Sequence, residues 1–455
     1  MAIQQVTDTS GVCYELGRKL GRGGQGAVYE IKGGRLAAKI ILKTSPVKRE
    51  PLRNQLAFVK RLALNDLALA RPLEMLDKPH IGYVMELLTG MKPISTLINP
   101  PRNTESLLKW YIEGGGLKRR LRLLAISAEA LAQLHGKGLI YSDPSPHNIF
   151  VSEDQDAYEV RLIDTDNLHY KSSSAMAAVY TPGYGAPELV CRRSGMNTLT
   201  DAYAFAVLAF QTLTLVHPLM GDMVNDGEPE LEEKALEGCL PWIDDPDDDS
   251  NESSSGISRE IVLSPLLRNL AAKTFGEGLN DPLKRPGISE WAEKLHAAAD
   301  VTLICPSCSW SYYFGDKKCP NCDHPRPDFV IAKLKLWDGK EPVKKPSDKD
   351  VILAVVVLTE SQPLQITERL VNGQINKKAS RLRIEARLEE NCIILKSLDG
   401  NSYLLTSPNG SKSVKLNTRE KIPVEEGYAS WRLHLGNLDK LHRVVDFEFR
   451  PGGQK

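Results

Sequence analysis

The sequence predicts a multidomain α+β protein with three folded parts, from its length, one cysteine-rich stretch and a change of pattern towards its end. At 455 residues the chain is too long for one compact core. Four of its eight cysteines form two CxxC pairs between residues 305 and 322. After residue 351, short apolar runs are separated by NG and DG turns, which is typical of an all-β sandwich. The predicted parts are residues 12–300, 301–328 and 351–451, with a charged linker at 329–350.

The charge balance argues against a protein that attracts partners through its overall field. The 58 lysines and arginines equal the 58 aspartates and glutamates in number, so we expect neither nucleic acid nor an anionic membrane as a partner. The first residues show no signal-peptide pattern. One apolar stretch, residues 202–216, is shorter than the ~20 residues of a membrane span and predicts a buried helix. We expect a cytoplasmic protein, because this cysteine usage fits a reducing compartment.

A glycine-rich run near the N-terminus is a candidate phosphate-binding flap. Residues 20–29 read LGRGGQGAVY, in which Gly21, Gly23 and Gly26 form a GxGxxG pattern. A dinucleotide-binding turn would require a helix directly afterwards, whereas the residues that follow predict a β-hairpin. The pattern therefore favours a strand–turn–strand flap. Lys39 lies on the second strand of this hairpin, and the alternative for it is an ordinary solvent-facing lysine.

The stretch LIYSDPSPHNIF, residues 139–150, places an aspartate and an asparagine five residues apart. Further along the chain, Asp164 ends a predicted strand with the sequence VRLID. The side-chain oxygens of Asn148 and Asp164 suit a hard divalent cation. Asp143 has no cation beside it in the sequence and is available to accept a proton from a hydroxyl nucleophile. The alternatives are that Asp143 caps a turn and that Asn148 only orders the loop.

The order of the motifs GxGxxG, AAK, YSDPSPHN, DTD and TPGYGAPE resembles that of eukaryotic-type (Hanks) protein kinases, in a divergent and bacterial-looking form, over about residues 11–300. The resemblance implies a bilobal protein-kinase fold that uses ATP and Mg²⁺ to phosphorylate Ser/Thr hydroxyls of itself or of a partner protein. It assigns the nucleotide site to Leu20, Gly21, Gly23, Gly26, Val28, Ala37, Lys39, Met85, Glu86 and Leu88. It assigns catalysis to Asp143, Lys39 and Asn148, magnesium to Asn148 and Asp164, and structural roles to Glu188, Arg285 and Asp201.

Two departures from the family lie in the catalytic loop. Its HRD motif is replaced by Tyr141-Ser142-Asp143. The resemblance therefore implies a kinase of the non-RD type, without an arginine to bind a phosphorylated activation loop. We therefore expect activity that does not depend on phosphorylation of the serines at 172–174. The family's catalytic-loop lysine is replaced by Ser145. His147 is a candidate catalytic cation when protonated, and the alternative is that it caps the loop.

The third departure replaces DFG by Asp164-Thr165-Asp166, which keeps the metal ligand but makes a DFG flip unexpected. The helical glutamate that pairs with the lysine in the family is also uncertain. Glu50 lies early and Gln55 lies nearer the expected register, in which case Lys39 would lack an ionic partner. These losses leave a nucleotide-binding pseudokinase scaffold as an alternative function. A small-molecule kinase is a further alternative, although TPGYGAPE favours a protein substrate. The resemblance also implies a PP2C-type phosphatase and adaptor proteins as partners.

The cysteine pairs predict a structural metal site. Cys305, Cys308, Cys319 and Cys322 have the form CPxC…CPxC, and four thiolates make a closed tetrahedral zinc site. The segment resembles a zinc ribbon, in which Zn²⁺ would supply much of the folding energy. The alternative is two free cysteine pairs. The aromatic residues between the pairs are expected to pack or to dock onto a neighbouring domain rather than to contact nucleic acid.

The C-terminal part, residues 351–451, faintly resembles a forkhead-associated (FHA) domain. Ser380-Arg381 and the turn Pro408-Asn409-Gly410 stand where that family reads a phosphothreonine. Arg383 replaces the family's usual histidine, and its first Gly-Arg pair is not evident. The resemblance implies a phosphopeptide partner, and the alternative is a generic adaptor sandwich.

Overall fold

The structure is a computed structural model. It describes residues 4–23, 26–42, 44–170, 179–338, 351–373, 379–390, 392–407, 410–424 and 431–453. The predictions made for the serines at 172–174 and for Pro408 and Asn409 lie outside these residues.

The N-terminal lobe is an antiparallel sheet with one helix against it. In its described residues the strand order is β1-β2-β3-β4-β6-β5. The sheet begins at residue 5, so the predicted boundary at residue 12 is one strand too late. The elements are β1 Gln5–Thr7, β2 Cys13–Arg22, β3 Gly26–Ile31, β4 Leu36–Ile41, α1 Pro46–Arg61, β5 Glu74–Met75 and β6 Gly82–Glu86.

The second lobe is mainly helical and surrounds a buried central helix, as the apolar run at 202–216 predicted. None of the described helices is long and apolar enough to cross a membrane. The helices are α2 Leu107–Glu113, α3 Gly116–Gly136, α4 Pro187–Val190, the central α5 Thr198–Thr214, α6 Asp222–Asn225, α7 Pro229–Leu236, α8 Arg259–Val262, α9 Pro265–Phe275, α10 Glu277–Asn280 and α11 Ile288–Asp300. The short strands are β7 Met91–Pro93, β8 Leu139–Ile140, β9 Ile149–Ser152, β10 Val160–Leu162 and β11 His169–Tyr170.

The cysteine-rich segment is a small hairpin that packs against the helical lobe. Its strands, β12 Thr302–Ile304 and β13 Ser311–Tyr313, pair in antiparallel fashion. The Trp310 ring is buried and lies 5.5 Å from the ring of Tyr111 on α2, centroid to centroid. The hydroxyl of Tyr313 donates to the carbonyl of Val262 at 2.8 Å. The aromatic residues of this segment therefore serve packing and docking, as expected from the sequence.

The C-terminal part is a sandwich of two antiparallel sheets around its own apolar core. In the described residues, the orders are β15-β14-β23-β22-β19-β20 in one sheet and β16-β17-β18-β21 in the other. The elements are β14 Phe329–Trp337, β15 Ile352–Leu358, β16 Leu364–Thr367, α12 Glu368–Asn372, β17 Leu382–Glu389, β18 Cys392–Ser397, β19 Tyr403–Thr406, β20 Ser413–Leu416, β21 Arg419–Pro423, β22 Arg432–His434 and β23 His442–Arg450.

The predicted linker at 329–350 is wrong in its first half. Residues 329–337 form β14, which pairs with both β15 and β23 inside the larger sheet. The charges that suggested a linker are paired across the strands, because Lys333 contacts Glu448 at 2.5 Å and Lys335 contacts Asp446 at 3.3 Å. The sandwich therefore begins directly after the cysteine-rich hairpin.

The three parts are joined by a shared interior and by a buried charge cluster. The largest apolar cluster of the helical lobe includes Trp310 of the hairpin and Phe329 of the sandwich. Asp300, at the end of α11, accepts hydrogen bonds from Arg122 on α3 and from Arg369 on α12, at 2.5 and 2.8 Å. Burial opposes ionisation of this carboxyl, but the two guanidinium groups lower its pKa from 3.8 to about 2.

Replacing Asp300 by asparagine should destabilise the whole chain, because two guanidinium groups lose their buried counter-charge. We expect a loss of about 3–5 kcal/mol in the free energy of unfolding, measured by urea denaturation at neutral pH. The control is Glu293→Gln on the same helix, whose exposed pair with Lys294 should contribute less than about 1 kcal/mol. Because the folded pKa of Asp300 is depressed, its stabilisation is present above its unfolded pKa and is lost as the pH falls towards about 2. Equal effects of the two substitutions would contradict this account.

Candidate active site

Lys39 is the buried centre of the cleft between the two lobes. It lies on β4, paired with Val28 of β3 on one side and with Tyr83 of β6 on the other, and its side chain is only 7% exposed. Its Nζ lies 2.9 Å from Oδ1 of Asp164 and 2.9 Å from both carboxylate oxygens of Asp166. Burial opposes the charged form, but Tyr83 and the two carboxylates together hold the pKa of Lys39 above its ordinary value. Lys39 is therefore a buried, charged side chain and not an ordinary solvent-facing lysine.

Two of its neighbours follow strand β10 in the helical lobe. Asp164 has a positive φ of 53° and precedes a 3-10 turn at Thr165–Asn167. Its side chain is 42% exposed, whereas that of Asp166 is 2% exposed. The accessible carboxylate is thus Asp164, the predicted metal ligand.

Asp143 and Asn148 contact each other in the catalytic loop between β8 and β9. The Nδ2 of Asn148 donates to Oδ2 of Asp143 at 2.8 Å and to its carbonyl at 3.1 Å. Because the amide nitrogen is committed in this way, the side-chain oxygen of Asn148 is the atom that remains for a cation. The carboxylate of Asp143 also accepts from the backbone N and the hydroxyl of Thr181, both at 2.9 Å.

These contacts act in opposite directions on the acidity of Asp143. Burial raises the pKa of its carboxyl, and the charge of Asp164 acts in the same sense. The hydrogen bonds from Thr181 and Asn148 lower the pKa, but the pKa of Asp143 still lies above the ordinary value of an aspartate. A carboxylate of this kind is a better proton acceptor than an ordinary aspartate.

Asp201 supports this loop from the start of the central helix, as the sequence predicted. Its carboxylate is fully buried and accepts from the backbone N of Tyr141 at 2.8 Å and from that of Ser142 at 2.9 Å. It also lies 2.9 Å from Nε2 of His135. The hydroxyl of Tyr141, which stands where the family has histidine, donates to the carbonyls of Asn148 and Ile163. The tyrosine thus links the catalytic loop to the segment after β10 that carries Asp164.

The two residues at the positions of the missing catalytic-loop cations differ in exposure. Ser145 is fully buried, and its hydroxyl has no hydrogen-bond partner among the described residues. His147 is exposed. Within the part of the chain that the structure describes, no hydrogen bond of the His147 ring is found, so the loop-capping alternative gains no support.

The remaining predicted nucleotide residues line the N-terminal lobe. Gly26 is needed for packing, because a Cβ there would lie 2.3 Å from the carbonyl of Ile40. A Cβ at Gly21 or Gly23 would meet no atom within 4 Å, so packing does not require glycine at these two positions. The other predicted nucleotide residues lie on strands β2, β3, β4 and β6 or directly after β6. Some are buried and others are exposed: Leu20, Val28, Ala37, Met85, Glu86 and Leu88. Ala37 pairs with Met85, which fixes the register of the predicted adenine edge.

Glu188 and Arg285 form the predicted structural ion pair. The two terminal guanidinium nitrogens of Arg285 donate to the two carboxylate oxygens of Glu188, at 2.7 and 2.8 Å. The guanidinium group also lies 4.8 Å from the centre of the Tyr203 ring. The pair fastens the segment TPGYGAPE to the helical lobe.

The expectation that Lys39 lacks an ionic partner is wrong. Gln55 does not contact the lysine; its amide donates to the carbonyls of Asp166 and Leu168, at 3.2 and 2.6 Å. The counter-charge comes instead from Asp164 and Asp166. Asp166 is a functional residue that was not predicted. The usable signal for it was a second aspartate after a buried strand, together with no acidic residue in register on α1.

The four cysteines of the hairpin converge, as their spacing predicted. Their sulfur atoms all lie within 4.8 Å of one another. The closest pairs, Cys305 with Cys322 and Cys308 with Cys319, are each separated by 3.6 Å. Tetrahedral zinc with bonds of about 2.3 Å places thiolates roughly 3.8 Å apart. The donor set therefore fits a zinc ion.

Comparison with known proteins agrees with this geometry. The protein kinase domain family matches residues 14–294. The chain belongs to the protein kinase family. Similar proteins include the serine/threonine-protein kinase pkn2 of Myxococcus xanthus, 27% identical over 302 residues, which are 62% of this chain and 32% of that protein. CBL-interacting protein kinase 22 of Oryza sativa is 24% identical over 371 residues, covering 73% of this chain and 78% of its own length.

The serine/threonine-protein kinase Pkn1 of Myxococcus xanthus is 28% identical over 215 residues, which are 44% of this chain and 29% of that protein. The chain thus spans about a third of the length of the two bacterial relatives. The cysteine-rich hairpin and the sandwich lie outside the residues matched by the kinase family, 14–294, and are interpreted from their own residues.

Proposed function

We propose that the protein is a Mg²⁺-dependent serine/threonine protein kinase of the non-RD type, which transfers the γ-phosphate of ATP to itself or to a partner protein. The observation that supports this most strongly is the convergence of Lys39, Asp143, Asn148 and Asp164 in one cleft. Lys39 bonds Asp164 at 2.9 Å, and Asn148 bonds Asp143 at 2.8 Å. Degenerate scaffolds of this fold more usually lack at least one of the four groups, so catalysis is favoured over the pseudokinase alternative.

Each residue has a role that follows from its atoms. Lys39 holds the α- and β-phosphates by its buried ammonium group. The accessible carboxylate of Asp164 and the free amide oxygen of Asn148 hold magnesium, which neutralises charge on the phosphates when bound. Asp143 orients the substrate hydroxyl and accepts its proton. The flap that contains Gly21 and Gly23 covers the phosphates, although the amide of Gly23 itself donates to the carbonyl of Gly26 at 2.9 Å. Exposed His147 offers a positive charge near the transferred group when protonated.

The proposal is tested by incubating the full chain with magnesium and γ-labelled ATP, with mass spectrometry to find labelled Ser or Thr residues. Asp143→Asn should abolish label transfer, because the base is lost while the size of the side chain is kept. The matched control is Asp156→Asn, which changes an exposed aspartate of the same lobe and should transfer at the wild-type rate. Equal transfer by wild type and Asp143→Asn, or none by either, would contradict a kinase and favour a nucleotide-binding scaffold.

The hydrogen bonds of Thr181 predict a change in the pH dependence of transfer. They lower the pKa of Asp143, so removing the hydroxyl in Thr181→Val should raise that pKa. Because the base must be ionised, the acid limb of the kcat–pH profile should move to higher pH. Thr181→Ser keeps the hydroxyl and should retain the wild-type profile. A Thr181→Val profile that coincides with that of the wild type would show that this bond does not set the acidity of the base.

The cysteine cluster is proposed to be a structural zinc site, since four sulfur ligands leave no open coordination position. We expect about one zinc ion per purified chain by elemental analysis. Cys308→Ser should remove it and lower the melting temperature of the adjoining helical lobe, against which the buried Trp310 packs. Cys13→Ser, at an exposed cysteine outside the cluster, is the control and should keep the metal. Stoichiometric zinc in Cys308→Ser would contradict the assignment.

For the sandwich, we propose an FHA-like phosphopeptide-binding role, supported by exposed Ser380 and Arg381. Arg383 is committed elsewhere, to Asp399 at 2.7 Å and to Glu368 at 3.5 Å, so it stabilises the domain rather than contacting a ligand. A PP2C-type phosphatase and adaptor proteins remain proposed partners by resemblance alone. The free cysteines and the proposed zinc thiolates fit a reducing, cytoplasmic compartment.

A further inference from the structure

The buried lysine at the centre of the cleft needs a permanent counter-charge. An ammonium group removed from water is costly unless it is paired and hydrogen-bonded. Among the described residues, the ion pairs of Lys39 involve Asp164 and Asp166 and no other carboxylate. Asp164 and Asp166 differ in how well each can remain paired with Lys39 when nucleotide and metal are bound.

The exposures of the two carboxylates distinguish them. Asp164 is 42% exposed and meets Lys39 through one oxygen, which leaves its other oxygen accessible from the cleft. Asp166 is 2% exposed and has both oxygens 2.9 Å from Nζ. A metal ion from solvent can reach the carboxylate of Asp164, whereas the carboxylate of Asp166 is almost closed to solvent and contacts Lys39 through both oxygens.

Helix α1 offers no alternative partner. Its acidic residue, Glu50, is exposed and makes no ion pair within the described chain. Gln55, the residue nearer the expected register, donates to two carbonyls of the turn that carries Asp166. The helix therefore supports the turn through neutral hydrogen bonds and leaves the charge to the turn itself.

The turn is fixed on several sides. The buried hydroxyl of Thr165 donates to the carbonyl of Ala70 at 3.2 Å, and the hydroxyl of Ser142 donates to the carbonyl of Asn167 at 3.3 Å. With the two bonds from Gln55, these contacts hold the backbone around Asp166 in one conformation. A carboxylate on so constrained a turn is a suitable support for a flexible lysine side chain.

We infer that Asp166 is the positioning residue that holds Lys39 for the phosphates, in the role that a helical glutamate has in other protein kinases. This inference rests on the proposed function, which assigns Asp164 to magnesium. It has a structural consequence: the partner of Lys39 belongs to the same turn as the metal ligand. Moving α1 away would therefore not by itself remove the counter-charge of Lys39.

The test is a double-mutant cycle in the full chain with Lys39→Met, Asp166→Asn and the two combined. Asp166→Asn should lower kcat by roughly 100-fold, without a matching rise in KM for ATP, because a displaced lysine loses its transition-state contact. If Asp166 acts through Lys39, the double variant should be no slower than Lys39→Met alone. The magnesium concentration for half-maximal rate should stay unchanged in Asp166→Asn, and Asp156→Asn should behave as wild type throughout.

Two results would overturn the inference. Losses that multiply in the double variant would show that Asp166 acts independently of Lys39. A raised magnesium requirement in Asp166→Asn would make it a metal ligand instead.

The same double-mutant cycle is also measured as free energies of unfolding in denaturant, which do not depend on catalysis. The double variant should lose less stability than the sum of the two single variants, and additive losses would refute the pair. A wild type without phosphoryl transfer but with this non-additive stability would disprove the proposed function while leaving the pairing of Lys39 with Asp166 intact.

Discussion

The ion cluster around Lys39 is the interaction on which the arrangement of the cleft depends. It joins a central strand of the N-terminal lobe to the turn that follows β10 in the helical lobe. The lysine would lose its charge in so buried a place without the carboxylates of Asp164 and Asp166. The same three residues therefore fix the distance between the lobes and place a cation beside the predicted metal ligand.

A second constraint is the continuity of the interior beyond the kinase domain. Trp310 of the hairpin and Phe329 of the sandwich belong to the apolar cluster of the helical lobe. At the same junction, Asp300 binds Arg122 of the helical lobe and Arg369 of the sandwich. The proposed zinc site lies within this junction rather than on a separate appendage. Because the two share packed side chains, a change that destabilises the hairpin is expected to destabilise the helical lobe as well.

The sequence was sufficient for the features whose residues lie close together in the chain. The catalytic loop, the cysteine pairs and the buried central helix each carry a short pattern with its own physical reason, and the structure has all three. The pairing of Glu188 with Arg285, 97 residues apart, was obtained only through the family resemblance.

Features that depend on distant partners were missed. Asp166 pairs with Lys39, which lies 127 residues away in the sequence. The residues next to Asp166 in the sequence do not distinguish it from an aspartate that only caps the turn. The charges and prolines of residues 333–350 predict a linker, although Lys333 and Lys335 lie on strand β14. Their counter-charges, Glu448 and Asp446, lie more than a hundred residues later on β23, so only the folded sheet reveals them.

The most direct measurement is a crystal structure of the full chain with magnesium and a non-hydrolysable ATP analogue. We expect Lys39 between Asp166 and the α- and β-phosphates, with Asp164 and Asn148 on the metal. A structure with Asp166 on the metal and Lys39 away from the phosphates would contradict it.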